Sequence, residues 1–281
     1  MMNRRQFLQT GLLATSALSP ALGAKRKATD VVRLGPDKVK LSRLAIGTGT
    51  KGGSVQRLLG VQGVADMLQY GYDEGIFFWD TADGYKTHPH VKEALKRVKR
   101  EKVTILTKTR ARTADQMRAD LDRFRQELGT DYFDIMLLHA VTNPLWTEER
   151  AGAMEVLSEA RQKGIVRTHG VSCHSIEALR TAAKTPWVHV DLARINPASI
   201  LMDADPNTVV SVLRQMKAAG KGVIGMKILG EGGLRNRVDE ALRYAMSLDC
   251  VDCFTIGPAN RDELKELLTK IPAASEMRKA A

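Results

Sequence analysis

Residues 76–85 read IFFWDTADGY, a run in which bulky apolar side chains lead directly into an aspartate. Aromatic and β-branched residues favour a buried strand, and Gly84 then interrupts the run. Asp80 is therefore predicted at the carboxyl end of a strand. In parallel α/β sheets, open or closed, ligands bind at that end of the strands. The stretch thus predicts both the class of sheet and the edge of it that carries chemistry.

From residue 43 onward, strand-like and helix-like segments alternate along the chain. Nearly continuous apolar runs predict eight strands, at 43–47, 76–82, 103–109, 133–140, 166–172, 190–195, 222–228 and 253–257. Amphipathic segments between them predict helices at 55–74, 90–100, 113–128, 153–163, 176–184, 207–219, 236–248 and 261–270. Eight βα units in about 250 residues are what a (β/α)8 TIM barrel requires, and strict alternation implies parallel strands. An open doubly wound sheet is the alternative, weakened by the absence of a strand-linked G-x-G-x-x-G motif.

A further element precedes the first of these strands. Residues 31–41, VVRLGPDKVKL, predict a β-hairpin with Gly35, Pro36 and Asp37 as its turn. We expect this hairpin to plug the N-terminal mouth of the barrel. No linker-like or low-complexity stretch divides the chain after it, so residues 25–281 are predicted to form one barrel domain.

The first 24 residues differ in composition from the rest of the chain. MMNRRQFLQTGLLATSALSPALGA combines a basic pair, a short apolar segment and small residues, as is typical of a signal peptide. Arg4 and Arg5, followed by QFL, resemble the signal that the twin-arginine export machinery recognises when it moves folded proteins across the bacterial inner membrane. An ordinary secretory signal or an uncleaved anchor is the alternative, although the apolar part is short for a membrane span. We therefore expect a periplasmic mature protein without a stable membrane span.

Charge and cysteine content narrow the classes of partner. The formal net charge is +11, but the basic residues are spread through predicted helices such as 92–102, which indicates solvated helix faces and no nucleic-acid partner. Three cysteines imply no disulfide framework. The CVDC segment at 250–253 has metal or redox spacing, yet it leads into a predicted buried strand. His88 and His90 lack a carboxylate or cysteine at ligand spacing, so no metal is predicted.

Four titratable residues are predicted to converge at one mouth of the barrel. Asp80, Lys108 and His139 end the second, third and fourth predicted strands, and Tyr85 follows on the loop after Asp80. Tyrosine is a weak acid, with a reference pKa of about 10. A neighbouring lysine cation favours the phenolate, and an aspartate can hold that cation in place. Each residue alone also fits a structural role, and only their joint placement favours catalysis.

The segments that carry these residues resemble those of the aldo-keto reductases, over most of residues 30–270. LSRLAIGTGT resembles the first strand of that family, FFWDTADGY its F-D-T-A-x-x-Y motif, ILTKT its third strand and DYFDIMLLH its fourth strand. The resemblance implies NADP(H)-dependent reduction of a small aldehyde or ketone to an alcohol, with NAD(H) as the other possible cofactor. It also implies that Tyr85 is the proton donor, that Lys108 and Asp80 tune it, and that His139 orients the substrate.

The resemblance further implies a cofactor site at the same mouth. The implied cofactor-binding residues are Gly47, Thr48, Asp80, Ser172, His174, Lys227, Leu229, Gly230, Gly257 and Arg261. Ser172 in GVSCHS matches a serine that contacts the carboxamide. Glycines and backbone N–H groups in MKILGEGGL suit a pyrophosphate, and Arg261, at the start of the last helix, is placed to meet a 2′-phosphate.

Three positions depart from the family pattern. Cys173 stands where asparagine is usual, with His174 as the expected substitute. Leu192 or a neighbour replaces a glutamine on the sixth barrel strand, and Met226 or Lys227 replaces a stacking aromatic residue on the seventh. These departures favour an alternative function, a nicotinamide-cofactor-binding sensor with little or no turnover. The complete set of four candidate catalytic residues favours the enzyme.

Overall fold

The computed structural model describes residues 25–276, so the predicted signal peptide at residues 1–24 lies outside the described residues. The described part opens with an antiparallel hairpin of β1 (Val31–Leu34) and β2 (Val39–Ser42). Gly35 begins the turn with a φ of +60°. A Cβ at this position would lie 2.9 Å from the carbonyl oxygen of His189, so the close approach of the hairpin to the barrel requires glycine.

Eight parallel strands form a closed barrel. They are β3 (Leu44–Gly47), β4 (Phe78–Asp80), β5 (Thr104–Thr109), β6 (Phe133–Val141), β7 (Val166–Cys173), β8 (Val190–Arg194), β9 (Gly222–Met226) and β10 (Cys253–Ile256). Each strand pairs with the next along the chain, and β10 pairs with β3 to close the barrel. The predicted (β/α)8 barrel is confirmed, and the open doubly wound sheet is wrong.

Helices surround the barrel and connect its strands. They are α1 (Ser54–Arg57), α2 (Gly60–Asp73), α3 (His88–Ala94), α4 (Ala114–Leu128), α5 (Trp146–Glu149), α6 (Ala151–Gln162), α7 (Ile176–Lys184), α8 (Pro206–Ala218), α9 (Val238–Ser247) and α10 (Arg261–Glu276). Short 3-10 turns occur at Asp83–Tyr85, Arg100–Lys102 and Gly230–Gly232. Within residues 25–276, none of the helices has the length and apolar character needed to cross a bilayer.

Several predicted helix boundaries differ from the structure, among them that of the helix predicted at 90–100, which ends at Ala94. Two further differences have local reasons. The single helix expected at 55–74 is divided into α1 and α2, because Gly60 has a φ of +69°, outside the right-handed helical region. The last helix runs beyond the predicted residue 270 to Glu276, with Pro272 inside it. Ile271 and Ala274 are buried and continue its apolar face, so tertiary packing offsets the helix-breaking effect of the proline.

The interior of the barrel is a packed apolar core, and the hairpin closes it at one end. Side chains of every barrel strand except β7 meet those of β1 and β2 in one cluster, formed by Leu34, Val39, Leu41, Ala45, Phe78, Leu106, Ile135, Leu137, Val190, Leu192, Ile224, Met226 and Cys253. The prediction that the hairpin plugs the N-terminal mouth is confirmed by this packing.

Asp37, in the turn of the hairpin, fixes the plug to the barrel. Its carboxylate accepts hydrogen bonds from Thr168 Oγ1 at 2.6 Å, from His189 Nδ1 at 2.6 Å and from Arg161. Burial acts to raise the pKa of Asp37, but these three partners outweigh burial and lower the pKa to about 2. The hairpin is therefore held by a charged cluster as well as by apolar contacts.

Candidate active site

The candidate catalytic residues lie at the carboxyl ends of the barrel strands because side chains alternate along a strand. Phe78, Leu106 and Leu137 point into the barrel core, and two residues later on the same strands come Asp80, Lys108 and His139. A period of two residues places these three side chains on the same inward face. Each strand thus has an apolar residue in the core and, two residues later, a polar residue at the mouth. The three polar side chains share one mouth of the barrel, as predicted.

Lys108 is the centre of this polar layer and is fully buried, with a relative exposure of 0%. Its Nζ donates hydrogen bonds to Asp80 Oδ1, to the carbonyl oxygen of Thr81 at 2.9 Å and to the hydroxyl oxygen of Tyr85 at 3.3 Å. The structure therefore brings Asp80, Lys108 and Tyr85 together as the sequence predicted. A buried ammonium group with three acceptors is held in one orientation.

Burial and charge have opposite effects on the two proton-bearing groups. Burial raises the pKa of Tyr85 above its ordinary value, and the Lys108 cation opposes this without cancelling it. Burial lowers the pKa of Lys108, but the charges of Asp80 and Tyr85 more than compensate, so the net direction is upward. The sequence argument foresaw the effect of lysine on the phenol and missed the larger effect of burial. Tyr85 is consequently a protonated donor beside a permanent cation.

His139 is held neutral at the same mouth. Burial lowers its pKa to about 2, assisted by the positive charges of Lys108, His174, Arg110 and Arg150. Its ring lies edge-on to that of Tyr85, with the centroids 5.6 Å apart. Nδ1 of His139 is buried without a hydrogen-bond partner among residues 25–276. A neutral imidazole in this position can direct a carbonyl oxygen toward Tyr85 without competing for its proton.

The loop after β4 fixes the position of Tyr85. The 3-10 turn Asp83–Tyr85 follows β4 directly, and the amide of Tyr85 donates to the carbonyl oxygen of Ala82 at 3.1 Å. Gly49 packs against the phenol ring, and a Cβ there would overlap ring atoms Cε2 and Cζ. Sequence reasoning missed Gly49, whose role depends on a contact between two separate loops.

A cavity of about 360 Å³ opens beside Tyr85. Five of the ten predicted cofactor-binding residues line it, namely Gly47, Asp80, Lys227, Leu229 and Gly257. Met226 and Glu231 also line it, and the ammonium group of Lys227 pairs with the carboxylate of Glu231. A larger groove of about 970 Å³ is lined by residues of the hairpin and of the opposite barrel end, and none of the candidate catalytic residues lines it.

Five predicted cofactor-binding residues do not line the cavity. Thr48 Oγ1 bonds to the carbonyl oxygen of Asp80 at 3.0 Å, which is a structural role. Gly230 packs against Ile200. The guanidinium group of Arg261 lies 3.8 Å from the ring centroid of Tyr70.

Ser172 and His174 differ from those three residues. Ser172 Oγ and His174 Nε2 are buried, and neither has a hydrogen-bond partner in the described part of the chain. Buried polar atoms without partners are rare in folded proteins, and they are commonly satisfied by a bound ligand or water. The two atoms fit the polar groups of a nicotinamide carboxamide, and the cavity beside Tyr85 leads to the same mouth.

Cys173 and His88 are held in the interior by burial and by hydrogen bonds, respectively. Cys173 is fully buried, and burial holds the pKa of its thiol well above the ordinary value, so it is not a reactive group. His88 bonds through its two ring nitrogens to Glu127 at 2.7 Å and to Thr107 at 2.8 Å. Among residues 25–276, no three ligand-type side chains are grouped in a way that would hold a metal ion.

Comparison with known proteins agrees with this geometry. The sequence model described as "Aldo/keto reductase family" matches residues 43–246.

The chain belongs to the aldo/keto reductase family.

Characterised members of the family share part of the sequence. An aldo-keto reductase of Bacillus subtilis is 30% identical over 169 residues, which is 54% of this chain and 49% of that protein. An NADH-specific methylglyoxal reductase of Escherichia coli is 27% identical, over 50% of this chain and 51% of that protein. An NADPH-dependent alpha-keto amide reductase of Saccharomyces cerevisiae is 28% identical, over 47% of this chain and 44% of that protein. This aldo/keto reductase thus spans about half the length of the curated relatives it matches.

Solved aldo/keto reductases share the fold over a longer span. A putative aldo-keto reductase of Pseudomonas aeruginosa superposes with a TM-score of 0.76 at 21% identity, covering 89% of this chain and 98% of that chain. The likeness extends to the closed barrel and its surrounding helices.

Proposed function

We propose that this aldo/keto reductase reduces an aldehyde or ketone to an alcohol with a nicotinamide cofactor. The observation that carries the proposal is the hydroxyl of Tyr85 at 3.3 Å from Lys108 Nζ, whose charge Asp80 compensates inside the barrel mouth. This is an acid held beside a cation that stabilises its conjugate base. Such an arrangement suits proton delivery to a carbonyl oxygen.

Each side chain has a separate task in the reaction. The nicotinamide, when bound, supplies the hydride that reaches the carbonyl carbon. Tyr85 donates its proton to the carbonyl oxygen as negative charge develops there, and Lys108 stabilises the phenolate left behind. His139, neutral because of burial, donates a hydrogen bond that holds the same oxygen. A positioned general acid typically contributes 10²- to 10⁴-fold in rate, or about 3 to 5 kcal/mol of barrier.

The residues present fit the cofactor in two places. Ser172 Oγ and His174 Nε2, buried without partners, would bind the carboxamide. Lys227, Leu229 and Gly257 line the cavity that leads away from Tyr85, and they would hold the phosphate-bearing part. Leu192 belongs to the apolar interior, so the amide contact expected from the family pattern at that position is absent here.

The charge at the far end of the cavity bears on the choice between NADPH and NADH. Arg261, the residue expected to meet a 2′-phosphate, is engaged with the ring of Tyr70. Glu263 and Glu266 line the cavity instead. The Glu263 carboxylate also accepts from the amide of Ala259 at 2.7 Å, next to the N-terminus of α10. A 2′-phosphate beside these two glutamates would meet like charge, whereas Lys51 and Arg235 also line the cavity. The preference for NADH over the NADP(H) that the family resemblance implies therefore requires the phosphate to lie on the Glu263 side.

Calorimetry of the mature protein with NADH and with NADPH, followed by a panel of aldehydes and ketones, tests the proposal. We expect micromolar binding of a reduced cofactor and loss of its absorbance when a suitable carbonyl compound is added. Tight binding with no oxidation by any carbonyl compound would favour the cofactor-sensing alternative. No binding of either cofactor would reject both functions.

A further inference from the structure

Arg150 is a buried cation without a counterion at the mouth of the barrel. Its relative exposure is 6%, and its Nε and Nη1 atoms have no hydrogen-bond partner among residues 25–276. Its side chain also forms no ion pair with any residue of that range. An unpaired buried charge costs several kcal/mol, so folded proteins rarely keep one without a function.

The position of Arg150 connects it with the candidate active site. It lies between α5 and α6, on the connection that follows β6, the strand that carries His139. Its charge is near enough to His139 to contribute to the lowered pKa of that imidazole. The neighbouring N-termini of α6 and α4 are in contact, since a Cβ on Gly152 would lie 3.0 Å from the amide nitrogen of Ala114. This packing brings the connection after β5 close to Arg150.

The surroundings of Arg150 add positive charge. Burial lowers the pKa of Arg150, and the neighbouring cations Arg112 and Arg110 lower it further, while Glu149 acts in the opposite direction. Glu149 keeps its charge, and its Oε1 accepts a hydrogen bond from the side chain of Asn143, but it forms no ion pair with Arg150 in the described part of the chain. Arg110 is exposed and has no ion pair in the described part of the chain. Arg150, Arg112 and Arg110 therefore form a group of cations near one carboxylate, Glu149, and none of the three forms an ion pair in the described part of the chain.

The geometry points to a substrate that brings an anion to these cations. We propose that Arg150, with Arg110 at the entrance, binds a carboxylate of the substrate, so that the substrate is an oxo acid or an aldehyde acid. A guanidinium group matches a carboxylate through two parallel hydrogen bonds, and a buried site strengthens them. The identity of the ligand as substrate depends on the proposed reductase function, whereas the presence of a carboxylate site does not.

The kinetic test compares acids with their neutral amides. The pairs are pyruvate and pyruvamide, succinic semialdehyde and its amide, and 4-formylbenzoate and 4-formylbenzamide, which increase in length. For at least one pair we expect kcat/KM for the acid to exceed that for the amide by 10-fold or more. Charge-assisted hydrogen bonds of about 1.5 to 3 kcal/mol correspond to roughly 10- to 100-fold.

Two variants locate the effect. Arg150→Gln is expected to raise KM for the acid at least about 10-fold and to leave the amide within about 2-fold, whereas Arg150→Lys retains part of the preference. Arg118→Gln, which changes an exposed arginine of α4, is the control and leaves both substrates unchanged. Equal effects of Arg150→Gln on acid and amide, or no acid preference in any pair, would overturn the inference.

A binding measurement separates this inference from the reductase proposal. Calorimetry with benzoate and with benzamide requires no turnover. If no carbonyl compound is reduced but benzoate binds and Arg150→Gln abolishes that binding, the carboxylate site stands and the reductase proposal fails. If carbonyl compounds are reduced and no acid binds through Arg150, the reductase proposal stands and the carboxylate site is rejected. A melting temperature of Arg150→Gln above that of the parent, at low salt and without ligand, supports an unpaired charge, and a fall in melting temperature contradicts it.

Discussion

Gly49 and Tyr85 pack so closely that residue 49 has no room for a side chain beside the phenol ring. Gly49 belongs to the connection after β3 and Tyr85 to the connection after β4, so the contact sets the distance between two loops of the barrel mouth. The ring of Tyr85 is thereby positioned from one side by backbone and from the other by Lys108.

Replacement of Gly49 by alanine is expected to displace the phenol and lower kcat at least about 10-fold, because an error of about 1 Å in a catalytic group is costly. The control is Gly84→Ala, in the same turn as Tyr85, where an added Cβ meets no atom within 4 Å. Steady-state kinetics measure kcat of both variants, and only Gly49→Ala is expected to lower it. Equal activity of both would show that the ring tolerates displacement.

Removing the proposed acid separates binding from chemistry. Tyr85→Phe keeps the ring and deletes the hydroxyl, so we expect an unchanged cofactor Kd and a kcat lowered by about 10² or more. Lys108→Met should lower kcat similarly and also destabilise the fold, since it leaves Asp80 buried and unpaired. Adding Asp80→Asn to Lys108→Met is expected to restore stability and not activity. A Tyr85→Phe enzyme that works at the parent rate would assign the tyrosine to packing.

Glu263 is expected to set the cofactor preference. Glu263→Gln removes one negative charge from the cavity end, so NADPH affinity should rise by about 5-fold, from a repulsion of about 1 kcal/mol at a solvated contact. NADH affinity should change little. Glu240→Gln on α9, an exposed glutamate paired with Arg237, is the matched control. A parent enzyme that binds NADPH more tightly than NADH would contradict this reasoning about charge.

Asp191 on β8 predicts a dependence of stability on pH. Its carboxylate is fully buried beside Cys173, and burial raises the pKa of the group to about 7, although the contact with Cys173 acts in the opposite direction. Because the folded state holds this proton more tightly than the unfolded state, the stabilisation is complete below pH 4 and is lost as the pH rises toward 7. The free energy of unfolding falls by about 4 kcal/mol in total, because the pKa of Asp191 is about three units higher in the folded state than in the unfolded state.

Asp191→Asn removes this titration and should therefore gain stability relative to the parent as the pH rises from 4 to 8. Urea unfolding across that range measures the difference in free energy of unfolding. Asp115→Asn, at an exposed position of α4, should follow the parent at every pH. A constant difference between Asp191→Asn and the parent would mean that Asp191 is ionised throughout.

Export through the twin-arginine route is a prediction from Arg4 and Arg5. Arg4→Lys combined with Arg5→Lys should prevent export while leaving the folded domain intact, because the two residues precede the barrel. Fractionation of cells that produce the full chain measures the exported share. Arg33→Lys is the control. Export that continues with both arginines replaced would favour an ordinary secretory signal.

The sequence predicted the features that follow from local periodicity. Apolar runs predicted the strands and therefore placed Asp80, Lys108 and His139 at the strand ends, and the predicted parallel barrel brought those ends to one mouth. Features that depend on tertiary contacts were not predictable in this way. Arg150 lies in the polar segment WTEERAG, which gives no sign of burial, whereas the folded structure leaves it only 6% exposed. Arg261 had the right position for a phosphate, and its stacking on Tyr70 depends on a neighbouring helix.

The hairpin plug has a consequence for the order of folding. Leu34 packs against Gly222, where a Cβ would lie 2.7 Å from its side chain, and the Asp37 carboxylate needs partners at positions 161, 168 and 189. The hairpin is therefore stabilised by contacts with residues about 120 to 190 positions later in the sequence. Contacts at such a separation slow folding. The cover over Leu34 and Leu41 is incomplete until β9 has been synthesised, because Ile224 and Met226 belong to the same cluster. We therefore expect closure of this end to be a late step of barrel assembly, and we expect a chain that stops before β9 to be prone to aggregation through its apolar hairpin.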